Sequence, residues 1–96
     1  NVARAQGRLG EAYFRQFKYP NAVEALEHAI NLYGEATDLN SRFFLMLGNA
    51  YIRDSFDNCP QAVPYFEQVI AKSSAWREDA AASIEECRRA ALEVNP

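Results

Sequence analysis

This chain is poor in the residues on which chemistry usually depends. It holds one histidine, one tryptophan and two cysteines in 96 residues. A lone histidine cannot build a paired-imidazole metal site, and Cys59 and Cys87 are too few for a disulfide-stapled scaffold and lack zinc-ligand spacing. No phosphate-cradling glycine loop and no nucleophile motif occurs. A basic excess is missing too: the net charge is -3, which argues against a general nucleic-acid binder. Long hydrophobic runs are absent. The longest, Phe43 to Leu47, stops at Gly48 and Asn49, far short of the roughly 20 apolar residues a spanning helix needs. No segment sustains the alternation of a strand between turn signals. The chain opens at Asn1 with neither an initiator methionine nor a hydrophobic leader, as an excised or processed domain would, with any targeting sequence outside it. The cysteines leave the compartment open.

What is present is an ordinary globular balance, 49% hydrophobic and 24% charged, in one domain's length of chain. A chain this short buries only about 60–65% of its unfolded surface, so its core is thin.

Four glycines and four prolines cut the sequence into helix-sized blocks. The first, about 2–17, repeats apolar residues at Ala5, Leu9, Ala12, Tyr13 and Phe17. Pro20 ends it, because proline pushes the residue before it out of the α region. A second helix, about 20–33, carries Ala22, Val23, Leu26, Ala29, Ile30 and Tyr33, and Gly34 is its natural stop. Thr37 or Asp38 caps a third, reaching about Arg53, with Leu39, Phe43, Phe44, Leu47, Ala50 and Tyr51 inward. The stretch from Asp54 to Asn58 is turn chemistry. A fourth helix, about 60–72, buries Ala62, Val63, Phe66, Val69 and Ile70, with an irregular first turn expected at Pro64. Ser73 or Ser74 caps a fifth, about 75–94. Short connections make neighbouring helices antiparallel.

The chain repeats itself. Leu9-Gly10-Glu11-Ala12-Tyr13 recurs as Leu47-Gly48-Asn49-Ala50-Tyr51, and Pro20-Asn21-Ala22-Val23 recurs as Pro60-Gln61-Ala62-Val63. Glu27 and Ile30 likewise return as Glu67 and Ile70.

These residues resemble the tetratricopeptide repeat, which places L-G-x2-Y in a first helix and A-x3-F in a second. The first repeat carries Leu9, Gly10, Tyr13, Ala22 and Ala29, with Leu26 in the large apolar place; the second carries Leu47, Gly48, Tyr51, Ala62 and Phe66, with Val69 for the small alanine. The resemblance covers about residues 3–74 and departs in places. Gln6 stands where the family often has tryptophan, Gly34 and Ser74 replace the closing proline, and the landmarks recur at 38 and 40 residues rather than 34. That period also suits helical repeats of the HEAT or armadillo kind, although the motif outweighs it. The implied fold is an all-α, antiparallel helix-pair solenoid of five helices in one domain: repeat one about 3–36, repeat two about 41–74, and a capping helix about 75–94. In the cap, Trp76, Ala80, Ile84, Cys87, Ala91 and Val94 form one narrow stripe on an otherwise charged helix, as a solenoid end requires. Polar Gln6 leaves room for helices before Asn1, and the charged cap points to an array ending near Pro96.

Catalytic readings are weak. His28 lies off the apolar stripe of its helix and reads as a solvated residue. Asp54 and Asp57 lack the twelve-residue calcium loop and read as turn formers. Cys59 sits in a turn toward which the fifth helix returns, so a disulfide with Cys87 is conceivable; two separate thiols, Cys87 packed as a small hydrophobe, is the other reading. No enzyme activity, cofactor or metal is expected.

In the resembled family the first helices of successive repeats line a concave surface that binds peptides. Positions there that the core stripe leaves free are Arg4, Arg8, Glu11, Phe14 and Arg15 on the first helix and Arg42, Leu45, Asn49, Ile52 and Arg53 on the third. Eight of the ten basic residues are arginines, suited to bidentate carboxylate recognition. Phe14, Leu45 and Ile52 are expected as exposed apolar groups that need covering. Members that clamp a chaperone's C-terminal carboxylate use Lys and Asn on the first helix and Asn on the third; the matching places here hold Gly7, Glu11 and Met46, which argues against that subtype. The expected function is a protein-interaction module, adaptor or assembly factor, binding a protein or peptide with acidic and apolar residues, with no nucleic acid and no membrane insertion. The alternative is a structural or self-associating piece of a longer helical-repeat protein.

Overall fold

In the computed structural model, which describes residues 1–94, the chain forms α1 (Val2–Arg15), α2 (Tyr19–Tyr33), α3 (Ser41–Asp54), α4 (Cys59–Lys72) and α5 (Arg77–Val94), with a 3-10 turn at Phe56–Asn58 before α4. No strand occurs among the described residues. Consecutive helices run antiparallel. The Phe14 and Tyr19 rings meet edge-on at the α1–α2 bend, the Tyr33 and Phe43 rings stack between α2 and α3, and Cys59 at the start of α4 joins Cys87 late in α5. The array is elongated, 47 × 28 × 18 Å, and the side chain of Val94 and all of Pro96, both named in the expected cap, lie outside the described residues.

The two helix pairs close on the same contact. A Cβ added at Gly10 would stand 2.4 Å from Leu26, and one added at Gly48 would stand 2.4 Å from the Phe66 ring. In each pair a residue without a side chain on the first helix receives the large apolar residue of the second, at matching repeat positions. Leu26 and Phe66 are wholly buried as a result. The broad stripes of α2 and α4 are inward as expected, with Ala22, Leu26, Ala29, Ala62, Phe66 and Val69 fully covered.

Each connection has its own chemistry. Between α2 and α3 the Thr37 Oγ accepts from the Asn40 N–H while the Asn40 Oδ1 accepts from the Thr37 N–H, the reciprocal arrangement of a capping box with Asn in the acidic place. The Asn40 amide also donates to the Glu35 carbonyl, so one buried residue fastens the extra segment between the repeats. Because Thr37 caps a turn that precedes the helix proper, α3 starts at Ser41, and Leu39, expected inward, is left almost wholly exposed. The Ser73 Oγ accepts from the Trp76 N–H ahead of α5, as its capping role required. Pro64 does not break α4, which runs continuously through it; the irregularity sits earlier, in the 3-10 turn.

The end of α1 departs from expectation. Phe17 does not extend the apolar stripe: it has φ 61 and is 77% exposed. The Lys18 N–H donates to the Tyr13 carbonyl and the Phe17 N–H to the Phe14 carbonyl, which is the Schellman arrangement with phenylalanine in the place glycine prefers. A Cβ in this left-handed region costs about 1–2 kcal/mol. Phe17→Gly should therefore raise stability by about 0.5–1 kcal/mol after the loss of the Phe17–Tyr19 ring contact and of chain rigidity. Urea denaturation of the two proteins measures this; a lower midpoint for the glycine variant would mean that the ring contact outweighs the strain.

The buried side of α1 is also not the expected one. Ala3, Gly7 and Gly10 face inward, Phe14 packs half-buried against the core, and Leu9 is 44% exposed, with Ala5 and Ala12 exposed beside it. Close approach decides this. Gly7 faces the Phe43 ring of α3 at the distance where a Cβ would clash, as Gly10 faces Leu26, so the side of α1 with the least bulk is the one two helices can reach.

Candidate functional site

Alpha helices 1 and 3 lie side by side with the start of α5 beyond them, and a groove of about 330 Å³ runs between the three. Phe14, Leu45, Met46 and Trp76 supply its apolar lining, and Glu11, Arg15, Arg42 and Asn49 supply its polar groups. Six of the ten residues expected from the sequence, Glu11, Phe14, Arg15, Arg42, Leu45 and Asn49, thus meet in one place.

The remaining four divide. Arg4 and Arg8 line a neighbouring depression with Leu39, Asn40 and Phe43, joined to the groove through Arg42. Arg53 is exposed and lines neither hollow, and Ile52 is in the core. Two corrections follow for the apolar members. Leu45 is 7% exposed and Ile52 2%, so neither is a free surface group. The cause is α5: the Ser83 hydroxyl donates to the Asn49 Oδ1 at 2.8 Å, and Leu45, Asn49 and Ile52 share the helix face that this bond brings against α5. Leu45 keeps only an edge on the groove, and the Asn49 oxygen is engaged.

Trp76 and Met46 are what the sequence did not assign to this site. The sequence pattern sets Trp76 on the inward stripe of α5, but it precedes the first turn of that helix and is 37% exposed. A lone large aromatic at a helix entry, rather than within the periodic stripe, was the available signal.

The arginines are not simply solvated. Arg42 reaches across from α3 to grip the Glu11 carboxylate with both terminal nitrogens, at 3.3 and 3.4 Å, while its guanidinium lies 4.6 Å from the Phe43 ring centroid. Arg15 approaches the same carboxylate at 3.1 Å along α1. Two cations share one anion, so the groove keeps a net positive charge while Glu11 fixes the spacing of α1 and α3.

On the other side of the array the units are joined by a polar aromatic cluster. The Tyr51 hydroxyl donates to the Glu27 carboxylate of α2, and the Tyr51 ring stacks on Tyr65 at 6.3 Å with Phe44 edge-on to Tyr65 at 6.4 Å. Burial, with the nearby Glu27 carboxylate adding to it, pushes the Tyr65 hydroxyl above its ordinary value. Glu27 is therefore a connector between repeats.

His28 is exposed, and no group of three or more His, Cys, Asp or Glu able to hold a metal occurs among the described residues. None of the described helices is long and apolar enough to cross a membrane. Cys59 and Cys87 form a disulfide with Cα atoms 5.8 Å apart, which answers the question their sequence positions left open. No protein-family model, no curated protein and no solved structure matches this chain.

Proposed function

We propose that this chain is a protein-interaction module of the tetratricopeptide kind, a binding protein rather than an enzyme, that takes an extended or helical peptide bearing acidic and apolar residues. The groove between α1, α3 and the start of α5 carries this reading: Phe14, Leu45, Met46 and a partly exposed Trp76 line it together with Arg15 and Arg42. A desolvated aromatic anchor beside arginines is the composition in which interface energy concentrates. The family reading is supported by the repeated glycine contacts, Gly10 on Leu26 and Gly48 on Phe66, at the motif positions. The long period has a physical account in the Asn40-fastened connection and the extra 3-10 turn, which add residues outside the helix pairs.

The overall charge of -3 does not oppose an acidic ligand, because recognition is set by the local field of the groove. A peptide carboxylate would meet Arg15 and the outer edge of Arg42, while an adjacent apolar side chain covered Trp76.

Panning a displayed random-peptide library against the protein should enrich sequences that pair Asp or Glu with aromatic or large aliphatic residues. The best of these, made synthetically, should lose about tenfold or more in affinity to a Trp76→Ala, Arg15→Ala variant whose melting temperature is unchanged. Enriched peptides that bind this variant as tightly as the parent would place the binding surface elsewhere and sink the proposal.

A further inference from the structure

The closing helix brings little apolar surface of its own to the array. Among the described side chains of α5 only Ala80, Ser83 and Cys87 are buried, and Ile84 is half-buried against the core. By contrast α2 buries Leu26 and Ile30, and α4 buries Phe66 and Val69. Alanine and serine withdraw little area from water, so their burial holds a helix weakly. Two hydrogen bonds assist: Ser83 donates to Asn49, and the exposed Arg77 Nε donates to the Ile70 carbonyl, where water competes for the same bond. One turn beyond Ser83, Cys87 is tied to Cys59, the first residue of α4.

That tie is within reach of a reductant. Cys59 is partly exposed, and both cysteines line a hollow of about 550 Å³ whose other walls include Phe56, Pro60, Val63 and Ala90. At its other end α5 borders the groove, where Trp76 stands ahead of the first turn with its N–H held by the Ser73 Oγ. The disulfide therefore secures the far part of the helix whose start forms one side of the groove.

We propose that the Cys59–Cys87 disulfide is a redox switch for the groove, worked by a dithiol reductant; this rests on the peptide-binding reading above. One thiolate of the dithiol attacks the Cys59 sulfur, the S–S bond breaks, and Cys87 leaves as a thiolate that takes up a proton. The second thiol of the reductant then attacks the mixed disulfide, releases Cys59 as a thiol and departs as a cyclic disulfide. Two electrons and two protons have passed to the protein. With the tie cut, α5 opens about the Ser73–Trp76 connection, Ser83 leaves Asn49, and the groove loses the side that carries Trp76. Leu45 and Ile52, which α5 covers, still attract the helix, so reduction raises the open fraction without destroying the docked form. The same attraction brings Cys87 back to Cys59 on reoxidation. Oxidised protein holds its peptide and reduced protein releases it.

The test uses the intact chain without denaturant, before and after treatment with dithiothreitol. Both thiols should become open to alkylation by iodoacetamide, read by mass spectrometry. Amide exchange should rise about tenfold or more in residues 80–94 while α1 and α2 stay protected. Emission of Trp76, the one tryptophan of the chain, should shift to longer wavelength as it leaves the groove. Reoxidation should reverse all three. Peptides enriched on the oxidised protein should bind the reduced protein about tenfold more weakly. The Cys59→Ser, Cys87→Ser variant should show the reduced values with or without dithiothreitol, which separates loss of the tie from other effects of the reductant. A disulfide that resists dithiothreitol in the native protein would overturn the proposal, as would exchange and emission that do not change on reduction. So would exchange that rises equally in every helix, or a double variant that does not fold, since the tie would then be a staple of the whole structure. Opening of α5 that leaves peptide affinity unchanged would remove its control of the groove. Failure to enrich any peptide on the oxidised protein sinks the groove reading instead, and exchange and emission then decide whether the disulfide governs α5.

Discussion

Gly48→Leu should destabilise the protein by about 3 kcal/mol, at the upper end of the cost of overpacking a core. The Cβ alone would stand 2.4 Å from the Phe66 ring, and that ring is wholly buried, so relief requires α3 and α4 to separate. Leu45→Ala is the informative comparison. On an open face its truncation would cost little; with Leu45 7% exposed and covered from the side of α5, about 2 kcal/mol is expected, the low end for a buried leucine. Denaturant midpoints measured on both proteins decide it. If Gly48→Leu unfolds no earlier than Leu45→Ala, Phe66 has a second position available and the helix-pair contact is looser than its geometry indicates.

Removing the disulfide should cost about as much. Cys59 and Cys87 are 28 residues apart, and a loop of that size restricts the unfolded chain by about 3–4 kcal/mol in the chain-entropy model. Beside the disulfide, two hydrogen bonds tie α5 to its neighbours, Ser83 to Asn49 and the Arg77 Nε to the Ile70 carbonyl. Its buried residues are few, Ala80, Ser83 and Cys87, and its surface ion pairs of Glu85 with Arg88 and Arg89 stay on its own face. The Cys59→Ser, Cys87→Ser double variant should accordingly show both a lower midpoint and faster amide exchange in α5 than in α1 and α2. Unchanged exchange in α5 would show that packing, and not the covalent tie, holds the closing helix.

The stripes of α2 and α4 were readable because both are wide: these helices sit between neighbours, so nearly every apolar position finds a partner. Periodicity failed on α1 for an identifiable reason. It located a true apolar stripe, Ala5, Leu9, Ala12 and Tyr13, but a stripe in the sequence does not say whether anything covers it. The buried side of α1 is built from Ala3, Gly7 and Gly10, and glycine adds nothing to a hydrophobic pattern even where it marks the closest helix contact. The groove was legible for a related reason. Glu11, Phe14 and Arg15 are offset from the motif residues of α1, and Arg42, Leu45 and Asn49 from those of α3, so helical geometry alone sends them toward a shared side.

By itself, then, the sequence determined the helices, their order, the repeat and the glycine contacts that close each pair, because all of these follow from local spacing and from residues at fixed offsets. It also determined the arginine-rich character of the groove. Tertiary structure alone decided which faces are covered. The return of α5, tied through Cys87 to Cys59, buries Ile52 and most of Leu45 and engages Asn49 through Ser83, whereas no described helix covers the matching stripe of α1. Burial is a property of two surfaces, and a single helix's sequence records only one of them.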